Sequence, residues 1–109
     1  MNNTIRFQVK IAYTHHVREF EFRTDTTIAS LIENIKRDAF DKFDPFIDRT
    51  QFNDVSVIES GQYNNINGSH PEAAPPLEPS SMTIREMYEG RYHEIAFYIN
   101  PLPLYTFGH

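Results

Sequence analysis

Thr24-Asp25-Thr26-Thr27-Ile28-Ala29-Ser30-Leu31-Ile32-Glu33-Asn34-Ile35-Lys36-Arg37-Asp38-Ala39 is the stretch on which the reading of the fold turns. It opens with four residues whose side-chain oxygens suit the N-cap of a helix. Ile28, Leu31, Ile32, Ile35 and Ala39 then recur at helical spacing and make one apolar stripe. Glu33 and the pair Lys36-Arg37 fall on the other side, and the two cations stand in the C-terminal half, where they suit the helix dipole. The helix can run to about Phe43; Asp44-Pro45 must end it, because proline disfavours α geometry in the residue before it. A single stripe of this kind asks for one apolar surface to cover.

The flanking segments supply that surface. Upstream, Ile5, Phe7, Val9 and Ile11 alternate with Arg6, Gln8 and Lys10, the period of a half-buried strand. Tyr13 to His16 breaks the alternation and reads as a turn. Phe20 and Phe22 then alternate with Glu19, Glu21 and Arg23, a second strand that so short a connection makes antiparallel to the first. Downstream, Phe46 to Asn53 is a connection anchored by Phe46 and Phe52. Val55 to Ile58 is a third strand, closed by Ser60-Gly61. The segment from Gln62 to Ser81 holds four of the seven prolines and three asparagines, which predicts a long exposed loop. Thr83-Ile84-Arg85-Glu86-Met87-Tyr88 offers an N-cap and one apolar helical turn, with Gly90 as a left-handed stop. Ile95, Phe97 and Ile99 alternate once more as a last strand, which Pro101-Leu102-Pro103 is expected to end. Leu104 to His109 is a tail.

The predicted class is therefore α+β. One main helix covers one face of a mixed sheet of four to five strands, with the last strand beside the first as a central parallel pair and the other sheet face exposed.

That order resembles the β-grasp fold of the ubiquitin family. Thr26-Thr27-Ile28 is similar to the Asp-Thr-Ile lead-in of ubiquitin's helix, and the strand ending at Gly61 is similar to its third strand. Thr83-Ile84-Arg85-Glu86-Met87-Tyr88 resembles the Thr-Leu-Ser-Asp-Tyr-Asn turn before its last strand. The likeness covers about residues 4 to 100 without the loop. It implies one domain over residues 1–104, with the long loop at 62–81, and a C-terminal tail at 105–109.

The resemblance also implies sites. A ubiquitin-like modifier usually ends in Gly-Gly, whereas this chain ends in Thr106-Phe107-Gly108-His109. Some modifiers are made as precursors and trimmed to a terminal glycine, as in bacterial ubiquitin-like conjugation operons with activating and conjugating enzymes and a JAB-type peptidase. On that likeness Gly108 and His109 are the conjugation and processing residues. A glycine suits such chemistry because it passes a narrow channel and adopts any φ. Leu104, Tyr105 and Phe107 make the tail apolar enough to dock on a partner or on the domain itself. The family's partner-binding sheet patch maps onto Ile58, Ala96 and Tyr98, with Tyr13 near by at the first hairpin. The other outcome for that patch is that the long loop folds over it.

Composition narrows the function classes. The chain has 109 residues, enough for one domain, with 39% hydrophobic and 14% aromatic residues. Its net charge of −5 argues against nucleic acid as a partner. With zero cysteines there is no disulfide framework, thiolate metal site or thiol nucleophile. No apolar run spans a bilayer and no signal peptide stands at Met1-Asn2-Asn3-Thr4, so the expectation is a cytoplasmic protein with no membrane partner. His15, His16, His70, His93 and His109 lack metal-ligand spacing and are read as surface residues; no metal or other cofactor is expected. Asp38, Asp41, Asp44 and Asp48 lack the glycine and glutamate of a calcium loop and read as a solvated acidic series that could face a basic partner. No nucleophile elbow or phosphate loop is present, so the chain is not expected to be an enzyme. Only three lysines, Lys10, Lys36 and Lys42, could accept self-conjugation.

The primary expectation is a protein modifier, made as a precursor and joined through Gly108 to target proteins by an isopeptide bond. The alternative is a non-conjugated adaptor that binds one protein through its sheet face or long loop. A sulfur carrier, which also needs a terminal glycine, is a third reading.

Overall fold

The computed structural model describes residues 3–60 and 76–103. The elements follow the order β1 (Thr4–Ile11), β2 (Val17–Arg23), α1 (Ile28–Lys42), β3 (Phe52–Ser60), α2 (Ile84–Tyr88), a 3-10 turn (Tyr92–Glu94) and β4 (Ala96–Pro103). The four strands make one mixed sheet in the order β2-β1-β4-β3. β1 pairs antiparallel with β2 and parallel with β4, and β3 pairs antiparallel with β4. Among the described residues no helix is long and apolar enough to cross a membrane.

Helix α1 starts where its capping chemistry dictates. Thr27 is extended, and its hydroxyl accepts the Ser30 N–H at 3.2 Å. The stripe Ile28, Leu31, Ile32, Ile35 and Ala39 is buried, and Phe40 joins it. These side chains cover one face of the sheet, formed by Phe7, Val9 and Ile11 of β1, Phe20 and Phe22 of β2, Val55 and Val57 of β3, and Phe97 and Ile99 of β4. The register explains why they share a face: Phe7 stands opposite Phe20, Val9 beside Phe97, and Ile11 beside Ile99 with Val57 beyond it.

The segment before α2 is tied to the start of α1. Ser80 C=O accepts the Ala29 N–H and Met82 C=O the Ile28 N–H, while Thr26 C=O accepts the Ile84 N–H. An isolated bridge joins Thr27 to Thr83. Two helix N-termini thus satisfy part of each other's unpaired backbone. Thr83 and Glu86 complete a capping box, with Glu86 N–H on the Thr83 hydroxyl at 3.1 Å and Thr83 N–H on the Glu86 carboxylate at 2.8 Å. The left-handed stop begins one residue before the glycine, at Glu89 (φ 51°), and continues through Gly90 (φ 86°).

Three expectations are corrected. β4 does not end at Pro101; it runs to Pro103, with Pro101 opposite Val55 and Pro103 opposite Phe52. The last β1–β4 pair is Ile11 with Ile99, so past that point one side of β4 has no strand neighbour to demand an N–H, and proline is tolerated. β3 starts at Phe52 and not at Val55, with a register shift between Phe52 and Asp54 that absorbs Asn53 as a bulge. The end of the predicted loop, residues 76–81, is not simply exposed. Leu77 donates its N–H to Val57 C=O at 2.7 Å and packs against the core. Residues 62–75 of that loop lie outside the described residues.

Candidate protein-binding surface

The first hairpin closes on a turn without glycine. Ile11 N–H donates to His16 C=O at 3.1 Å, and Tyr13 takes the left-handed conformation at φ 66°. Thr14 holds the turn: its hydroxyl donates to Ile11 C=O at 2.8 Å and accepts the His16 N–H at 3.1 Å. The backbone therefore turns the Tyr13 side chain outward, and it is 61% exposed.

Against this hairpin lies the chain that leaves α1. Arg18 of β2 donates from Nε to Lys42 C=O at 3.0 Å, placing a cation at the negative end of the helix. The same guanidinium stands 5.5 Å from the Phe43 ring centroid, and Lys42 donates from Nζ to Glu19 C=O at 3.3 Å. Phe43 and Ile47 are buried. Phe46, between them, is half outside at 49% exposure, and the His16 ring stacks on it at 3.6 Å between centroids and 16° between planes. The exposed Tyr13 and the His16–Phe46 stack thus both stand at the hairpin end. Ala12 N–H donates to Ile99 C=O at 2.9 Å, so β4 passes this end on its way to Pro103. Asp48, next to Ile47, is held below the usual carboxylate range by hydrogen bonds from the Thr50 hydroxyl and N–H.

Ile58, Ala96 and Tyr98 come together, and they are buried, which corrects the expectation that they are exposed anchors. They form a second cluster of their own, with exposures of 3%, 0% and 3%. In register Tyr98 lies between Ile58 of β3 and Lys10 of β1, and Lys10 is buried as well. The face they occupy follows from the strand period; their burial depends on what lies over that face, which the period does not encode. Tyr13 is the one sheet-patch residue that the structure leaves open. Leu104, Tyr105, Phe107, Gly108 and His109 lie outside the described residues.

His15 and His93 are exposed, and His93 faces the Glu94 carboxylate at 3.8 Å. His70 and His109 lie outside the described residues. Asp38 pairs with Arg37 at 3.0 Å. Among the described residues no three His, Asp or Glu side chains group as metal ligands would. The His16–Phe46 contact is not legible in the sequence, because it joins residues 30 positions apart and neither lies in a motif.

A second polar feature sits at the opposite end. Tyr88 is buried and donates its hydroxyl to the Glu59 carboxylate at 2.5 Å. Burial first, and the Glu59 carboxylate second, push the Tyr88 hydroxyl far above the usual tyrosine value. This is a structural contact between α2 and β3.

No protein-family model, curated protein or solved structure matches the chain.

Proposed function

We propose that the chain is a ubiquitin-like protein of the β-grasp type, made as a modifier precursor. After removal of His109, the Gly108 carboxylate is activated by a partner enzyme and joined to a lysine of a target protein in the cytoplasm. The chain itself supplies no catalytic residue. The observation that carries this reading is the place of β4. It is paired on both sides, parallel to β1 and antiparallel to β3, beneath one main helix on the far face of the sheet, and its last residues run out past the hairpin end. A central last strand gives a C-terminal tail a fixed point of departure, which suits a tail read in an extended groove. Activating and conjugating enzymes and a JAB-type peptidase are the partners this function requires.

The test is covalent. An N-terminally tagged chain expressed in its source organism should form adducts that survive denaturation, and mass spectrometry should find Gly108 in isopeptide linkage. Gly108→Ala should abolish them. Adducts that persist in that variant, or a wild-type chain that forms none, would reject the proposal.

A second reading is favoured by a separate observation, the exposure of Tyr13 and of Phe46, the latter stacked on His16, at the hairpin end. On this reading the chain is a non-conjugated adaptor that grips one protein at the hairpin end. Partner binding that survives deletion of residues 105–109 and fails in Phe46→Asp selects it.

A further inference from the structure

The outer edge of β2 is held by two cations of the chain itself. β2 stands at one end of the sheet order and pairs with β1 on one side only. Ile11 N–H donates to His16 C=O and Thr24 N–H to Asn3 C=O, which fixes the parity of the β1–β2 ladder. Arg18, Phe20 and Phe22 therefore direct their main-chain groups to β1, and Val17, Glu19, Glu21 and Arg23 direct theirs to the outer edge.

Most of the outward carbonyls are taken. Val17 C=O accepts from Arg18 Nη1 at 2.9 Å, Glu19 C=O from Lys42 Nζ at 3.3 Å, and Arg23 C=O from the Thr26 N–H at 3.0 Å. Arg18 also donates from Nε to Lys42 C=O at 3.0 Å. Two bonds thus cross: Arg18 of β2 reaches the last residue of α1, and Lys42 of α1 reaches back to β2. The Lys42 ammonium lies 5.1 Å from the centroid of the Phe20 ring, which holds it over the strand. The edge behind this clasp is self-complementary in charge. When a second β2 is laid antiparallel about Glu21, Glu19 stands opposite Arg23 of the second copy, and Arg23 opposite its Glu19. That pairing needs the Glu19 carbonyl, and Lys42 occupies it.

We propose that Lys42, steadied by Arg18, guards this edge: it keeps β2 from pairing antiparallel with β2 of a second copy, and removal of its ammonium releases the edge as a dimer interface. An unpaired edge is a template for a further strand, and a cation laid across it is one way to close it. The opposed Glu19 and Arg23 set the register once the edge is released. The inference rests on neither Gly108 nor Phe46, so it stands whether or not the chain is conjugated.

The test uses the full chain in sedimentation and in NMR over a dilution series. The wild type should remain monomeric. Lys42→Met, an exposed change, keeps the aliphatic stem on the Phe20 ring and removes the ammonium. A backbone bond is worth about threefold to tenfold in affinity, and a symmetric pair gains the Glu19 carbonyl of both copies. Self-association should therefore tighten roughly tenfold to hundredfold. The amides of Glu19, Glu21 and Arg23 should move with concentration, and those of Phe20 and Phe22, which face β1, should move less. Adding Arg23→Glu to Lys42→Met sets like charges opposite each other and should return the chain to monomer; adding Glu19→Arg as well should restore the dimer. A folded Lys42→Met chain that stays monomeric, a wild type that already pairs through β2, or association indifferent to Arg23→Glu would each overturn the proposal.

Discussion

The two ends of the sheet use aromatic residues in opposite ways. At the end where β1 begins, Phe7 lies at the centre of a ring cluster with Phe97 at 5.1 Å, Tyr88 at 6.0 Å, Phe22 at 6.3 Å and Tyr92 at 6.5 Å, mostly edge to face. Phe7 and Phe97 are fully buried, and the one hydroxyl that is buried with them, on Tyr88, is satisfied by Glu59. At the hairpin end Tyr13 and Phe46 point outward, and Phe46 has the His16 ring for its neighbour. Residue type is the same at both ends, and its cost of exposure is the same. The difference is that one set is covered by α1, α2 and the 3-10 turn, while the other keeps its apolar area in water. Stability should therefore reside at the first end and recognition at the second.

The largest effect expected from this contrast comes from Phe7→Ala. It removes a fully buried ring with four aromatic neighbours, and large-to-small changes of this kind cost about 3–5 kcal/mol. Chemical denaturation should show the loss directly. A change under about 1 kcal/mol would mean that the cluster collapses easily and is not the core of that end.

Tyr88→Phe comes next, at roughly 1–3 kcal/mol, because it leaves the Glu59 carboxylate without its donor. The effect has a pH signature. The Tyr88 hydroxyl is raised in the folded state above its ordinary value of 10.0, so its contribution is complete below about pH 10. It is lost as pH rises past that value toward the folded-state one. The wild type should thus lose stability above pH 10 more steeply than Tyr88→Phe does, measured by denaturation at stepped pH. Parallel curves would mean that the contact does not hold this end together. Thr83→Ala is smaller, about 1 kcal/mol, since it breaks the capping box of a helix only five residues long.

How much of this contrast the sequence carries depends on the range of the signal. The stripe Ile28 to Ala39 and the alternation Ile5 to Ile11 are periodic and local, and the structure buries the stripe and, of the alternating residues, Phe7, Val9 and Ile11 fully and Ile5 in part. Thr27 and Thr83 cap their helices because capping is a matter of three residues. Pro101 reads as a strand end in the sequence and is none in the fold, because its tolerance depends on β1 stopping at Ile11, a fact about another strand. The face of Ile58, Ala96 and Tyr98 is legible from parity, but its burial depends on cover that parity does not describe. The same holds for the place of β3 at the end of the sheet order, which is a property of strand pairing and not of the residues Val55 and Val57 themselves.

The smallest expected effects on stability fall at the hairpin end, and they sharpen the comparison most. Phe46→Ala removes a half-exposed ring from the His16 stack and should cost less than the buried changes above, because much of its area is already in water. Tyr13→Gly should go the other way. Tyr13 holds φ at 66°, where a side chain is strained and glycine is not, so the variant should gain a few tenths of a kcal/mol up to about 1 kcal/mol. A residue whose replacement by glycine stabilises the fold is not there for the fold. If Tyr13→Gly raises the melting temperature while Tyr13→Gly or Phe46→Ala weakens binding of a protein partner, the hairpin end is a recognition surface kept at a cost in stability. If Tyr13→Gly is destabilising instead, the Tyr13 ring packs in a way that its 61% exposure does not suggest, and the division between the two ends fails.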